Sequence, residues 1–422
     1  VIDRWDPAAL AINLRTLHAF SVVAAAGSIA RAADGLFRVA SAVTRSVLQL
    51  EATLGQPLFD RSSRGVALNA CGERVLVRVR RIEREFEETR TQLVLRGGIR
   101  STVDLPSLFT SILNGRRLAV IVSLSEKRNM PSVAREFGIT QPAISSALKD
   151  LEQGLGASLF ERTSAGLVPT AAGGIVAFHF KRVLAELRHI GPDIAARTGT
   201  LQGSVHIGAL PLGRTQILPM AIAAVLARHP LLHVATVESP YDAMAESLRS
   251  GDLDFILGTL RSEEAAVNLE QQALFEDRLS VIARAGHPLA RATHLDADRL
   301  RAARWVLARH GSPLRDLLER VSAEAREALP VPSVETSDLT ILRGLLLESD
   351  MLTVISAHQL RYEIADGSLV VLDFPLDRTR RRVGLTQRLG ACPSPGARAL
   401  MHEIRAVVAR STDFVGVTPH RH

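Results

Sequence analysis

Cysteine is nearly missing from these 422 residues: Cys71 and Cys392 stand alone. Two distant thiols supply neither a disulfide framework nor a zinc finger, and such sparse use fits a reducing compartment, so a cytoplasmic protein is expected. Aromatic residues make up only 4%, but hydrophobic residues reach 46%, enough to fill cores. No run of 18 or more apolar residues occurs, so no membrane span is expected. Val1 to Leu10 contains Asp3, Asp6 and Pro7 and lacks the apolar core of a signal peptide. HExxH, the phosphate loop and GxSxG are all missing, and the thirteen histidines are dispersed with no Cys/His cluster. An enzyme, a cofactor and a metal site are therefore not expected.

What is present is uneven. Residues 1–200 hold 26 Lys+Arg against 18 Asp+Glu, a net of +8, and the remainder holds 25 against 26, a net of −1. A basic amino-terminal half suits contact with phosphates, although solvated basic surface alone has the same composition. The length exceeds a single core and predicts several domains.

Val133 to Arg162 reads as two helices around a glycine turn. Gly138 supplies the left-handed residue that ends the first helix. Thr140 is a good N-cap, and Pro142 is tolerated in the first turn of the second. Ile144, Leu148 and Leu151 then share one face, while Gln141, Ser145 and Lys149 share another. This is the helix-turn-helix pattern, whose second helix enters the major groove; a plain helical hairpin gives the same spacing.

The pattern occurs twice. Leu50-Glu51, Leu54-Gly55 and Leu58-Phe59-Asp60-Arg61 match Leu151-Glu152, Leu155-Gly156 and Leu159-Phe160-Glu161-Arg162 at an offset of 101. At that offset Leu17, Phe20, Val23, Ala33, Val43, Val47 and Gly72 fall on Leu118, Ile121, Leu124, Ala134, Ile144, Leu148 and Gly173. Each copy runs on into a long helix with an apolar seam: Val75, Val79, Ile82, Phe86, Thr89, Leu93, and Val176, Phe180, Val183, Leu187, Ile190, Ile194. Gly191-Pro192 is expected to break the second of these helices near its end. Arg78, Arg80, Arg81 and Arg84, with Glu83, Glu85, Glu87 and Glu88, read as a solvated charged face.

The words Thr140-Gln141-Pro142-Ala143-Ile144-Ser145, Leu151-Glu152, Leu155-Gly156, Leu159-Phe160-Glu161-Arg162-Thr163 and Pro169-Thr170-Ala171-Ala172-Gly173 resemble the winged helix-turn-helix of LysR-type transcriptional regulators. A sparser likeness continues to near Arg410. The resemblance implies double-stranded DNA as partner, through Thr140, Gln141, Pro142, Ser145, Ser146 and Lys149 on the second recognition helix and Arg162 and Thr163 at its wing. In the first copy Val39-Ala40-Ser41 replaces Thr140-Gln141-Pro142, removing a glutamine able to bond a base edge. Ser41, Thr44, Arg45 and Gln49 remain exposed there, with Arg61 and Arg64 at the wing. The first copy is therefore either a second reader of DNA or a degenerate duplicate kept for packing.

After a hinge at 197–203 the pattern changes. Apolar runs at 205–207, 232–237, 254–257, 279–282, 352–355 and 370–372 alternate with amphipathic helices at 214–228, 242–250, 338–348 and 396–410. This predicts an α/β sheet architecture covered on both faces. Gly203-Ser204-Val205-His206-Ile207-Gly208, Leu218-Pro219, Arg228-His229-Pro230, Gly251-Asp252-Leu253-Asp254-Phe255, Gly286-His287-Pro288-Leu289 and Glu335-Thr336-Ser337-Asp338 resemble the LysR-type effector domain, which is similar to periplasmic solute-binding proteins. The expected organisation is multidomain: a winged module at 13–69, a linker helix at 70–95, a connector at 96–115, a second winged module at 116–170 and a second linker helix at 171–198. An effector domain follows at 201–411, with one half from 201–276 and 375–411 and the other from 277–374.

A small-molecule effector, a sugar derivative or an aromatic or organic acid, is expected in the cleft. Leu210 and Pro211 end the first strand there and Ser239 ends the second. Thr336 and Ser337 open a helix, where they either meet an anion or merely cap. The resemblance also implies homo-oligomers and, in an activator, contact with RNA polymerase. A solute-binding or transport component on the same fold is the competing reading. The two long helices can pair within the chain, antiparallel, or between chains.

Overall fold

In the computed structural model the described residues are 5–62, 65–97, 104, 108, 112–164, 166–292, 295, 297–326, 328–411 and 415–416. Arg64 and part of the connector lie outside them.

After a short α1 (Pro7–Ala11), the chain forms α2 (Leu14–Ala26), α3 (Ile29–Gly35), α4 (Ala40–Leu54), the hairpin β1 (Phe59–Ser62) and β2 (Gly65–Leu68), and α5 (Ala70–Leu95). The order then recurs: α6 (Gly115–Lys127), α7 (Met130–Phe137), α8 (Gln141–Leu155), β3 (Phe160–Thr163), β4 (Gly166–Pro169) and α9 (Ala171–Ala195). The likeness extends to individual bonds. Glu51 Oε1 accepts the Leu58 N–H at 2.7 Å, and Glu152 Oε1 accepts that of Leu159 at 2.6 Å. Each carboxylate thus ties its helix, α4 or α8, to the hairpin that follows. Gly72 and Gly173 let each long helix pass its own hairpin: a Cβ there would meet the carbonyl oxygen of Leu58 at 2.2 Å or Leu159 at 1.9 Å. The repeat is therefore kept by backbone sterics as well as by apolar pattern.

α5 and α9 pack against each other, and their buried seams enter one continuous core with both winged segments. Arg78 bonds Glu186 and Asp193, Arg81 bonds Glu186, and Glu85 pairs with His179 and Arg182. Rising numbers on α5 meet falling numbers on α9, so the pair is antiparallel. At the other end Asn13 and Asn114, equivalent in the repeat and both N-caps, form an antiparallel bridge. Equivalent positions of the two segments thus meet antiparallel at this bridge and along the long helices.

Two expectations about these helices are corrected. Arg78 and Glu85 are buried, not part of a solvated face. Periodicity along one helix locates an apolar stripe, but α9 and the carboxy-terminal domain cover more than that stripe. Pro192 does not break α9, which continues to Ala195 before a single 3-10 turn. Only the bond to the carbonyl four residues back is lost so near the end, and the ring packs where Gly203 leaves room, 2.7 Å from a Cβ built there.

The rest is built on two sheets. The larger has the order β15-β8-β14-β7-β5-β6: β5 (Gln202–Ala209), β6 (Leu231–Val237) and β7 (Phe255–Thr259) are parallel, while β8 (Leu269–Asp277) and β14 (Arg381–Arg388) are antiparallel, with β15 (Val415–Gly416) at the edge. The smaller has the order β11-β10-β12-β9-β13: β9 (Leu279–Arg284), β10 (Arg304–Leu307), β11 (Val334–Glu335), β12 (Met351–Ser356) and β13 (Leu369–Val371). In the first, α10 (Pro211–Arg214), α11 (Ile217–Arg228) and α12 (Tyr241–Ser250) intervene. In the second come α13 (Ala297–Ala302), α14 (Pro313–Ala325), α15 (Leu339–Glu348) and α16 (Arg361–Ala365); α17 (Pro395–Arg410) returns to the first and packs on α11. β8, β10 and β14 are absent from the apolar runs read in the sequence. β8 alternates exposed Glu270 with half-buried neighbours, and β14 opens on two arginines, so neither is a continuous apolar run.

Candidate nucleic-acid interface and effector cleft

The turn before α8 has Gly138 at φ 59, and Thr140 caps the helix by accepting the Ala143 N–H at 3.4 Å. Ile144, Leu148 and Leu151 are buried beneath, so the opposite side of α8 faces outward. Thr140, Gln141, Pro142, Ser145, Ser146 and Lys149 are all exposed on it. Arg162 and Thr163 are exposed at the end of β3, where Thr163 Oγ1 donates to the Gly166 carbonyl at 3.0 Å. Donors, acceptors and a cation thus share one convex helix beside a two-stranded wing, a shape able to enter a major groove while the wing follows the backbone.

α4 is built alike on Val43, Val47 and Leu50. Ser41, Arg45 and Gln49 are exposed and Thr44 is half-buried, its hydroxyl donating to the Ala40 carbonyl. Val39 occupies the N-cap and provides no side-chain acceptor. Arg61 lies in β1; Arg64 falls outside the described residues.

In the carboxy-terminal domain Leu210 is buried and its N–H donates to the Leu257 carbonyl at 2.9 Å; Pro211 is exposed. Ser239 is half-buried beyond β6. Thr336 is buried, and its hydroxyl accepts the Asp338 N–H at 3.1 Å. Capping of α15 falls to Asp338, which accepts from Thr340 and Ile341, while Ser337 is exposed.

A cavity of about 470 Å³ lies elsewhere, lined by none of those five residues. It sits where α9 meets the larger sheet, among Trp5, Leu10, Lys181, Arg188, His206 and Asp252. Lys181 pairs with Glu126 and Asp252, and His189 Nε2 pairs with Asp254, which also accepts the His206 N–H. Burial alone would raise the Asp254 carboxyl, but the His189 bond and the Arg188 charge outweigh it and hold it below the usual carboxylate range. No sequence signal marked this junction, because it joins residues far apart in the chain.

A winged helix-turn-helix joined by long helices to a two-sheet ligand domain defines a DNA-binding regulator with a sensor. Residues 198–409 match the LysR substrate binding domain, and residues 14–73 and 116–174 match the bacterial regulatory helix-turn-helix protein model of the lysR family. The chain belongs to the LysR family of transcriptional regulators. It is 47% identical over 396 residues to the HTH-type transcriptional regulator GalR of Pseudomonas putida KT2440, covering 94% of this chain and 97% of that one. It is 30% identical to GbpR of Azospirillum brasilense over 69% of this chain and 85% of that relative. A full-length OxyR variant from Pseudomonas aeruginosa shares the fold, with a TM-score of 0.55 at 22% identity, over 72% of this chain and 98% of that one. The relatives are regulators, which sets aside the transport reading. Among the described residues no single helix is long and apolar enough to cross a membrane.

Proposed function

We propose that this LysR-type regulator works in the cytoplasm as a single-chain counterpart of a dimer, with two winged modules, 13–69 and 116–170, presented to one DNA site. The observation that carries this reading is the antiparallel packing of α5 on α9 within the chain, related by the Asn13–Asn114 bridge. Linker helices at 70–95 and 171–198 then use up on each other the seam through which chains would otherwise pair. The effector domain, with halves at 201–276 plus 375–411 and 277–374, remains free to associate into oligomers.

The effector, a sugar derivative or an aromatic or organic acid, sits between the halves near Leu210, Pro211, Ser239, Thr336 and Ser337. α9 is tied to the first half by Lys181–Asp252 and His189–Asp254. Effector binding therefore moves the second half against a body that holds both DNA-reading modules, and the bend imposed on DNA, or contact with RNA polymerase in an activator, changes with it.

Two measurements test the reading. With Cys71 and Cys392 replaced, single cysteines at Ile82 and Val183, both buried in the seam and equivalent in the repeat, should join within one chain through a short crosslinker. Products only at twice the chain mass would sink the single-chain dimer. Gln141→Ala should weaken a specific site, chosen by footprinting the DNA that flanks the coding region with and without candidate metabolites, by about 1–3 kcal/mol and leave non-specific binding nearly unchanged. Equal loss on every duplex would refute α8 as the reading helix.

A further inference from the structure

At the offset of 101, four exposed positions on α8 and in the turn before it become apolar on the α4 side, while Pro142 and Ser146 correspond to Ser41 and Arg45. Gly138 corresponds to Phe37, Thr140 to Val39, Gln141 to Ala40 and Lys149 to Leu48. The exposures are 98% for Phe37, 69% for Val39 and 47% for Leu48, with Ala40 exposed beside them. Phe37 also has a φ of 52, the left-handed region in which its counterpart Gly138 lies without strain. Its ring is not inside the core, so packing gives no return for that strain. Asp150 corresponds to Gln49, so no carboxylate occurs from Arg38 to Leu50, while Arg38 and Arg45 are exposed. An exposed helix side that carries Val39, Ala40 and Leu48 among Ser41, Arg45 and Gln49, free of acid, fits a polyanion that carries apolar groups in its groove. In the major groove that group is the 5-methyl of thymine.

We propose that α4 reads its half-site by apolar contact with thymine methyl groups, through Val39, Ala40 and Leu48 with Phe37 beside them. α8 reads the other half-site by hydrogen bonding through Gln141. The inference rests on the two-module reading above. It makes the operator of this chain asymmetric in chemistry: one half is defined by methyl groups, the other by donor and acceptor pattern. Arg38 and Arg45 then hold the flanking phosphates.

The test uses full-length protein and duplexes it selects from a random-sequence pool. Hydroxyl-radical footprints locate the two half-sites, and each thymine is then replaced by deoxyuridine, which removes only the methyl. Substitution in the α4 half-site should weaken binding about threefold to fourfold per buried methyl. Substitution in the α8 half-site should change it little. Val39→Thr combined with Ala40→Gln should reduce the deoxyuridine effect, the remainder falling to Leu48 and Phe37; both substituted sites are exposed, and an unchanged melting temperature checks the fold. Two protected half-sites with no response to deoxyuridine anywhere overturn methyl reading and leave the two-module reading standing. Protection of one half-site only, abolished by Gln141→Ala and untouched by the double variant, overturns both readings.

Discussion

Arg78→Ala is expected to destabilise the amino-terminal body by about 3–5 kcal/mol, the range for removing one partner of a buried ion pair. The Arg78 side chain is fully buried, and Nε bonds Asp193 at 2.6 Å while Nη1 bonds Glu186 at 2.8 Å and the Cys392 carbonyl at 2.7 Å. Alanine leaves two carboxylates buried beside a cavity. Burial alone would raise the Glu186 carboxyl, but the charges of Arg78 and Arg81 outweigh it and hold it below the usual range. Its contribution to stability is thus complete above the ordinary carboxylate pKa and is lost only as pH falls through the lower folded value. In the variant that loss should begin at higher pH. Urea unfolding across pH checks both effects, with Arg84→Ala, exposed on the same helix, as a control expected within about 0.5 kcal/mol of the parent. A loss below about 1 kcal/mol for Arg78→Ala would show that the network adds little.

The second large effect is acid sensitivity at the junction cavity. Burial, then the adjacent Arg188, push the His206 imidazole down to about 4. Between the ordinary histidine value and that one, the unfolded chain binds a proton that the folded chain does not. Stability therefore falls as pH drops through this window, by about 1.4 kcal/mol per unit and about 3 kcal/mol in all. Asp254 does not offset this, since its carboxyl stays ionised through the window. His206→Gln should flatten the dependence between about pH 6.5 and about pH 4. An unchanged slope in the variant would assign the sensitivity to another group. The junction lies between α9 and the first half of the sensor, so the loss should appear as uncoupling of the two bodies in calorimetry.

The junction explains why the two halves of the sensor are unequal. Arg388 on β14 approaches Glu186 at 3.6 Å and Glu85 at 4.0 Å, bringing the larger sheet onto both long helices. Burial, then the nearby Arg182, lower the Arg388 guanidinium to about 10. The smaller sheet has no comparable tie to α5 or α9 among the described ion pairs, and is instead joined to the larger through contacts such as Arg361 with Gln216 and Ser356 with Asp277.

Local, repetitive features were legible in the sequence alone. Helix-ending glycines, capping Asn and Thr, and spacings of three and four define α2 to α9, because each depends on residues within one or two turns. The offset of 101 shows in the sequence since both copies bury the same skeleton. Alternating apolar runs likewise mark β5, β6, β9 and β12. β8 was hidden because exposed polar residues alternate along it, and β14 because Gly384, Thr386 and flanking arginines interrupt its buried stretch; the pairing of both is set only by neighbours distant in the chain. The same limit applies to the seams. A stripe such as Val75, Val79 and Ile82 declares that something covers it, and tertiary structure alone decided that the cover is Val183 and its neighbours in the same chain. Only the packed structure turned Arg78 from a surface cation into the centre of a buried network, because burial is a property of what arrives from elsewhere: α9 and the Cys392 carbonyl lie 108 or more residues further on.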